Sequence, residues 1–266
     1  MKSMGTLLRR EIVRFVRQRS RMVAVIVSPI LFWVVIGSGL NRSFQYPGGP
    51  EGITYLEYFY PGTLVLVVLF AAVFSSISVI EDRREGFLQS VLVAPVSRLS
   101  IVMGKVTGIT VLASLQAGVF LLASPLVIAD ITAGSVLLAM VILFLVASGL
   151  SALGFLIAWS MDSTQGFHAV MNLLLVPMWL LSGALFPMTG SAPWVTEIMK
   201  WNPLMYGVAA TRKAIYGLDP GVGTELPGFG VSLVVLVVFS VAAIILASAR
   251  VQKRTKSEPL PGTPPL

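Results

Sequence analysis

Residues 81–95 read EDRREGFLQSVLVAP and place five consecutive charges and a short apolar run between two long hydrophobic segments. Charge is scarce in the rest of the chain: Asp, Glu, Lys and Arg make up 12% of all residues, against about 25% in an ordinary soluble domain. Charged side chains avoid the hydrocarbon core of a membrane. This stretch is therefore expected at a membrane face, where another molecule can contact it.

The hydrophobic surroundings of this stretch predict an all-α integral membrane protein with six transmembrane helices. Of the 266 residues, 56% are hydrophobic, and a run of about 20 apolar residues crosses about 30 Å of hydrocarbon. The predicted spans are 22–40, 59–80, 101–128, 134–159, 168–186 and 231–249. We therefore interpret residues 1–250 as a single transmembrane domain.

The two ends of the chain predict different structures. In residues 2–21, Arg10, Arg14, Arg17 and Arg21 share one helical face, and apolar side chains share the opposite one, which predicts an amphipathic interfacial helix. Such a helix either anchors the chain to lipid headgroups or also offers a docking surface to a partner. Residues 251–266 are basic and then rich in proline, which predicts a disordered cytoplasmic tail.

The distribution of Lys and Arg predicts that both termini are cytoplasmic. All but four of the 19 Lys and Arg residues lie before the first span, around the 81–105 region or after the last span. The exceptions are Arg42, Lys200, Arg212 and Lys213. Since cytoplasmic loops are enriched in Lys and Arg, we expect a multi-pass protein of the plasma or inner membrane. Basic residues beside membrane spans favour lipid over nucleic acid as a partner.

Proline and glycine mark the fifth predicted span as the best candidate for a helix that bends in use, the alternative being that these residues serve only packing. Pro177 removes a backbone hydrogen bond, and Ser182 and Gly183 follow it. The long outer segment after this span contains Trp194 and Trp201 at helical spacing, which predicts two short amphipathic helices at the outer interface. These helices either lie on the bilayer or cap an exit path.

The chain lacks the residue patterns of an energy-converting site. No Asp, Glu, Lys or Arg falls near the middle of a predicted span, where ion-coupled pumps usually place them. Gly104-Lys105 is followed by valine and lacks the upstream glycine of a phosphate-binding loop. We therefore expect this chain to bind no ATP or other cofactor, so that any energy for transport comes from another chain.

An enzyme is poorly supported by the sequence. Ser151 and the only histidine, His168, could form a nucleophile and base pair, but the predicted topology separates them beyond hydrogen-bond reach. No cluster of His, Asp or Glu has metal-ligand spacing, and cysteine is absent.

The apolar part of the opening stretch predicts a short cytoplasmic coupling helix over 87–93. Leu88 and Leu92 share one helical face, and Pro95 disfavours helix at the residue before it. Charges followed by an aliphatic face are typical of a helix that inserts into a groove of a partner. A solvated loop, the alternative, would not need that face.

Several ordered motifs resemble the ABC-2 type transporter permeases, which are the membrane subunits of exporters driven by ATP-binding cassettes. The motifs are Asp82-Arg83-Arg84-Glu85-Gly86 through Leu92, Ala94-Pro95-Val96-Ser97, Gly104-Lys105, Tyr55-Leu56-Glu57-Tyr58-Phe59 with Pro61-Gly62, Ser182-Gly183, Phe186-Pro187, Pro193-Trp194, and Asn202-Pro203-Leu204 with Tyr206 and Arg212. The resemblance covers nearly the whole chain. Phe87 and Gln89 depart from it, because the family commonly has threonine and glutamate there.

The resemblance implies a second permease subunit, an identical copy before a different chain, and two nucleotide-binding ATPase subunits that carry ATP and Mg²⁺. It assigns motor contact to the N-terminal helix and to Asp82, Arg83, Arg84, Glu85, Gly86, Phe87, Leu88, Gln89, Leu92 and Pro95. It also implies that spans two and five line the route of an amphipathic, lipid-linked or drug-like substrate moved outward. A gradient-driven transporter or channel is the alternative, which transport without any ATPase would favour.

Overall fold

The computed structural model describes residues 13, 19–44, 53–86, 97–128, 131–217 and 226–257. These residues form eight α-helices and a short 3₁₀ turn, and they contain no strand. The helices are α1 (Arg19–Leu40), α2 (Tyr55–Arg84), α3 (Arg98–Leu121), α4 (Ala133–Trp159), α5 (Thr164–Leu180), α6 (Pro193–Trp201), α7 (Pro203–Tyr216) and α8 (Phe229–Ser257). The predicted all-α fold is confirmed, with α1 to α5 and α8 at the positions of the six predicted spans.

Four of these helices are long and apolar enough to cross a membrane within the described residues: α2, α3 with the 3₁₀ turn that follows it, α4 and α8. Of the other two predicted spans, α5 is apolar but shorter, at 17 residues, and α1 is a helix of 22 residues whose part with described side chains, Val27–Leu40, is apolar. Lipid offers no partners to backbone N–H and C=O groups. This is why each of these apolar segments folds as a helix.

Side-chain caps fix where several helices begin. The Thr54 side chain accepts a hydrogen bond from the backbone N–H of Glu57, and the Glu57 carboxylate accepts the backbone N–H of Thr54 in return. Ser97, Thr132 and Ser163 cap α3, α4 and α5 with a single bond each. Such a cap contributes about 1 kcal/mol, so these boundaries are set locally by the sequence.

Helix α2 is the centre of the bundle. It packs against α1, α3, α4, α5 and α7, and 89% of its most apolar 18-residue stretch is buried. A helix that is hydrophobic on all sides is expected in such a position. Helix α8 packs against α3, α4 and α7. Only 22% of its most apolar 18-residue stretch is buried, so most of its surface is available to lipid.

The bundle has two chemically different ends. The charged end consists of the last turn of α2, the start of α3 and the turn 160–163 between α4 and α5. The aromatic end consists of the start of α2, the end of α5, and helices α6 and α7, and it carries Tyr55, Tyr58, Trp179, Trp201 and Tyr216. Aromatic side chains with a polar tip concentrate at membrane interfaces, so the two ends fit two faces of a membrane.

Two boundaries differ from the predicted ones. Helix α2 begins at Tyr55 and continues to Arg84, so the first four charges of the opening stretch belong to a helix rather than to a loop. Helix α8 continues to Ser257, past the boundary placed at residue 250, and the rest of the predicted tail lies outside the described residues.

The two predicted helices between the fifth and sixth spans are present, but their surroundings differ. Helix α6 exposes Trp194 and Trp201, at 67% and 83%, as an interfacial helix does. Helix α7 is buried against α2, α4 and α8, so it packs into the bundle, whereas α6 lies on its surface. A small residue permits this approach, because a Cβ atom on Gly207 would lie only 3.1 Å from Val146 of α4.

Candidate functional site

The last turn of α2 carries a charge into the protein interior. Asp82 is fully buried and forms an ion pair with the Nζ atom of Lys105 in α3, which is buried as well. The sequence placed Lys105 among the basic residues at the membrane face, and the structure corrects this, since the side chain lies inside the bundle. An isolated buried charge is very costly, so the two groups stabilise one another and join α2 to α3.

Arg83 joins α2 to the end of α4. Its guanidinium donates hydrogen bonds to the carbonyl oxygens of Ala158 and Trp159, at 3.0 and 3.1 Å, and to that of Met161. Its Nη1 atom also lies 3.2 Å from Oδ1 of Asp162. The last carbonyls of a helix lack partners within the helix and carry a partial negative charge. A guanidinium at this position supplies the missing hydrogen-bond donors and compensates the partial negative charge.

Arg84 and the two residues after it complete this end of α2. Arg84 donates to the carbonyl oxygen of Asp162 through Nε and Nη2, at 3.1 and 2.9 Å. Glu85 is exposed. Gly86 has a φ of +75°, a left-handed conformation that favours glycine and commonly ends a helix. The chain therefore leaves α2 where the predicted coupling segment begins.

Most of the predicted motor contact lies outside the described residues. This holds for Phe87, Leu88, Gln89, Leu92 and Pro95, for Arg10, Arg14 and Arg17 of the N-terminal helix, and for the side chain of Arg21. Contact of the described and the undescribed residues with a motor stays a prediction. The structure does describe the two helices that segment 87–96 connects, α2 and α3. The Asp82–Lys105 ion pair links these helices close to where the segment begins.

The predicted route-lining helices, α2 and α5, border a small groove. Its lining includes Phe70 and Phe74 of α2 and His168, Met171 and Asn172 of α5. Its volume is about 20 Å³, room for about one water molecule and far below the roughly 300 Å³ or more of a ligand pocket. A substrate could not enter here without movement of α5 or of a facing wall.

Ser151 and His168 are not brought together as a catalytic pair. The His168 ring contacts the rings of Phe74 and Phe167, with centroids 5.7 and 6.3 Å away. The Ser151 hydroxyl is buried in α4 and has no hydrogen-bond partner among the described residues. Across those same residues, no group of three or more His, Cys, Asp or Glu could hold a metal ion. The described residues thus form neither the Ser/His pair nor the metal cluster considered from the sequence.

The three residues predicted to bend the fifth span lie around the end of α5. Pro177 is in its last turn, the helix ends at Leu180, and Gly183 turns the chain with a φ of +76°. Ser182 is buried, and its Oγ atom donates to the carbonyl oxygen of Trp179. The chain therefore changes direction after the helix. Movement of this turn in use stays a prediction.

Two polar side chains that the sequence placed in an outer loop hold this turn. Asn202 donates to the carbonyl oxygens of Met178 and Leu181, the latter at 2.8 Å. Arg212 is fully buried in α7, and its Nη2 atom lies 3.1 Å from the carbonyl oxygen of Gly183. The sequence carried a signal for this burial: residues 207–211, GVAAT, are all small and only the last is polar, which favours close packing of this part of the helix against its neighbours.

Comparison with known proteins extends the similarity to most of the bundle. The family described as ABC-2 type transporter matches residues 2–216. Putative transport permease ycf38 of Cyanophora paradoxa is 28% identical over 90% of this chain and 86% of its own length. Inner membrane transport permease YadH of Escherichia coli (strain K12) is 26% identical over 92% of each chain. Probable multidrug ABC transporter permease YbhR of the same strain is 28% identical over 60% of this chain and 44% of its own length.

Proposed function

The chain belongs to the ABC-2 type transporter family, and on this basis we propose that it is the permease subunit of an exporter whose ATP is hydrolysed on a separate subunit. That it is a multi-pass membrane transport permease follows from the family and from its apolar helices. The proposal adds the energy source, the outward direction and an amphipathic, lipid-linked or drug-like cargo. The name of the relative YbhR, a probable multidrug ABC transporter permease, supports the drug-like class.

The single observation that carries the proposal is the construction of the charged end. A motor can bias the bundle only through contacts that differ between its ATP-bound and ATP-free states. Movement of the segment that begins at Glu85 would reach α3 through the Asp82–Lys105 pair and the α4–α5 turn through Arg83. A partner that grips this segment would therefore act on three helices besides α2.

The proposed arrangement places the charged end and both termini in the cytoplasm. The described basic side chains at this end include Arg83, Arg84, Arg98 and Arg250, and the enrichment of Lys and Arg in cytoplasmic loops supports the placement. ATP and Mg²⁺ belong to the motor subunit. A second copy of this chain completes the proposed permease, as the family resemblance implies.

Co-purification tests the motor contact. The full chain, extracted from its native membrane, is expected to bring down an ATP-binding-cassette subunit that mass spectrometry identifies. Leu88→Asp is expected to lower the recovered ATPase at least about tenfold, since it places a charge on the apolar face proposed to enter the groove of the motor. Ala192→Asp is the matched control, because Ala192 is exposed at the aromatic end, directly before α6 and outside the apolar spans, and it should leave recovery unchanged.

Two results would contradict this function. One is full recovery of the ATPase with the Leu88→Asp variant. The other is transport of a fluorescent amphipathic dye by the purified chain in vesicles without any ATPase, which would favour a gradient-driven transporter or channel.

A further inference from the structure

Arg212 is a cation enclosed by the aromatic end of the bundle. Its side chain is fully buried, and its guanidinium carbon lies 4.1 Å from the ring centroid of Tyr58. Its Nη2 atom donates to the carbonyl oxygens of Tyr58 and Gly183, at 3.2 and 3.1 Å. A buried charge is costly unless its surroundings compensate it, and an ionisable residue inside a membrane domain therefore calls for a role.

The carbonyl oxygen of Gly183 is the point where three parts of the chain meet. It accepts a hydrogen bond from Arg212 of α7 and another from the hydroxyl of Tyr58 of α2, at 3.1 Å. The left-handed backbone at Gly183 sets the direction of the turn that follows α5. Tyr55 adds a neighbouring bond, since its hydroxyl donates to the carbonyl oxygen of Leu185 at 2.7 Å.

These bonds matter because apolar packing holds α5 only weakly. Of its 17 residues, four are buried: Phe167, Met171, Leu175 and Trp179. Removal of a hydrogen bond from a charged donor costs more than removal of one between neutral groups. The position of the end of α5 therefore depends strongly on the polar contacts of the 181–185 turn, whereas apolar packing alone would fix a well-packed helix.

We propose that Arg212 is a positioning residue that latches the end of α5 to the start of α2 and so keeps the aromatic end of the route closed. The proposal rests on the proposed function for the existence of a transport route. The latch itself consists only of contacts within this chain and does not depend on a motor. Arginine suits the task because its planar guanidinium stacks on the Tyr58 ring while Nη2 donates to both carbonyl oxygens, and a lysine ammonium has no planar face for such stacking.

Cysteine accessibility tests the latch without ATP or a motor. The chain contains no cysteine, so Ser182→Cys introduces a single thiol at a buried position. In lipid nanodiscs, where both faces are open to reagent, we expect a soluble maleimide to label this thiol slowly. Adding Arg212→Gln should accelerate labelling on the order of tenfold, because loss of the charged donor raises the population of the locally open state. Arg212→Lys should give a smaller increase.

Two control cysteines separate local opening from general loosening. Ser151→Cys is buried in α4 and should stay slow with or without Arg212, while Ala192→Cys is exposed and should be fast in both backgrounds. An unchanged rate at Ser182→Cys would overturn the latch. So would an equal acceleration at Ser151→Cys, because Arg212 would then support the whole bundle rather than one turn.

A second variant keeps the test decisive if Arg212→Gln fails to fold. Tyr58→Phe keeps the ring and the buried cation and removes only the hydroxyl that donates to Gly183. It should accelerate labelling at Ser182→Cys by a few fold, and no change in this variant would also count against the latch.

The failure of the latch can be told apart from the failure of the proposed function. With Arg212 intact, addition of the co-purifying ATPase and ATP should accelerate labelling at Ser182→Cys. If ATP has no effect while Arg212→Gln still accelerates labelling, the latch stands and the motor-driven function does not.

Discussion

Asp82 and Lys105 form an ion pair in which both residues are buried. Two opposite charges in a low-dielectric bundle contribute little net stability, because their attraction roughly offsets the loss of hydration. The loss of one partner is different, since it leaves the other charge buried without compensation. At the scale of the residue, the pair therefore determines how α2 and α3 are joined more than how stable the bundle is.

This asymmetry gives a testable prediction. Lys105→Met alone, or Asp82→Leu alone, is expected to lower the free energy of unfolding by roughly 3–5 kcal/mol. The double variant Asp82→Leu/Lys105→Met should recover most of that loss, because it buries no charge. Denaturant titration in detergent measures all three. A double variant as unstable as the sum of the two single variants would contradict the account.

Helix α2 owes its central position to close contacts as well as to its hydrophobicity. A Cβ atom at Gly62 would lie 2.5 Å from the Cβ and 2.7 Å from the Cα of Ala184, so the helix touches the backbone of the turn after α5. The indole Nε1 of Trp179 donates to the carbonyl oxygen of Gly62 at 3.0 Å. At the scale of the element, α2 and the 181–185 turn fit because this position has no side chain.

Gly62→Ala is therefore expected to destabilise the fold by roughly 1–3 kcal/mol, the usual cost of overpacking, since the atoms it meets include backbone. Gly134→Ala in the first turn of α4 is the matched control, because the nearest atom to its Cβ is 3.7 Å away; alanine there should be neutral or stabilising by up to about 1 kcal/mol. Unfolding free energies in the same detergent compare the two, and equal effects would show that the close approach is not limiting.

At the scale of the whole molecule, α5 connects the two ends. At the charged end, Arg83 and Arg84 bind the turn that leads into it, and at the aromatic end Gly183 accepts the bonds of Tyr58 and Arg212. Few of its own side chains are buried. Displacement of α2 at one end can thus move α5 without disrupting a large packed surface, as the proposed function requires.

Arg83→Gln should therefore lower the amount of cargo moved per ATP hydrolysed by about tenfold, because it removes the charged donor that binds the end of α4. Asp162→Asn should change this ratio less than about twofold, since the Asp162 side chain is 81% exposed and an exposed ion pair is worth little. Transport and ATP hydrolysis measured in the same proteoliposomes give the ratio. Equal ratios in wild type and Arg83→Gln would show that this contact does not transmit movement.

Much of the architecture could be predicted from the sequence because it depends on local rules. Apolar runs of about 20 residues must become helices in lipid, since only a helix satisfies its own backbone there. The capping residues Thr54, Ser97, Thr132 and Ser163 act within three residues of themselves. Ordered motifs along nearly the whole chain also sufficed to indicate the family.

The sequence by itself thus determined the helical fold, the approximate positions of the helices and the place of the charged stretch between two of them. Only the tertiary structure decided that Lys105 and Arg212 are interior residues, and that α7 enters the bundle. Their partners, Asp82 and Gly183, are 23 and 29 residues away in the chain. Neither helical periodicity nor the positive charge of a side chain predicts these partners. The partners depend on which helices pack together and on how far each helix is shifted along its axis relative to its neighbours.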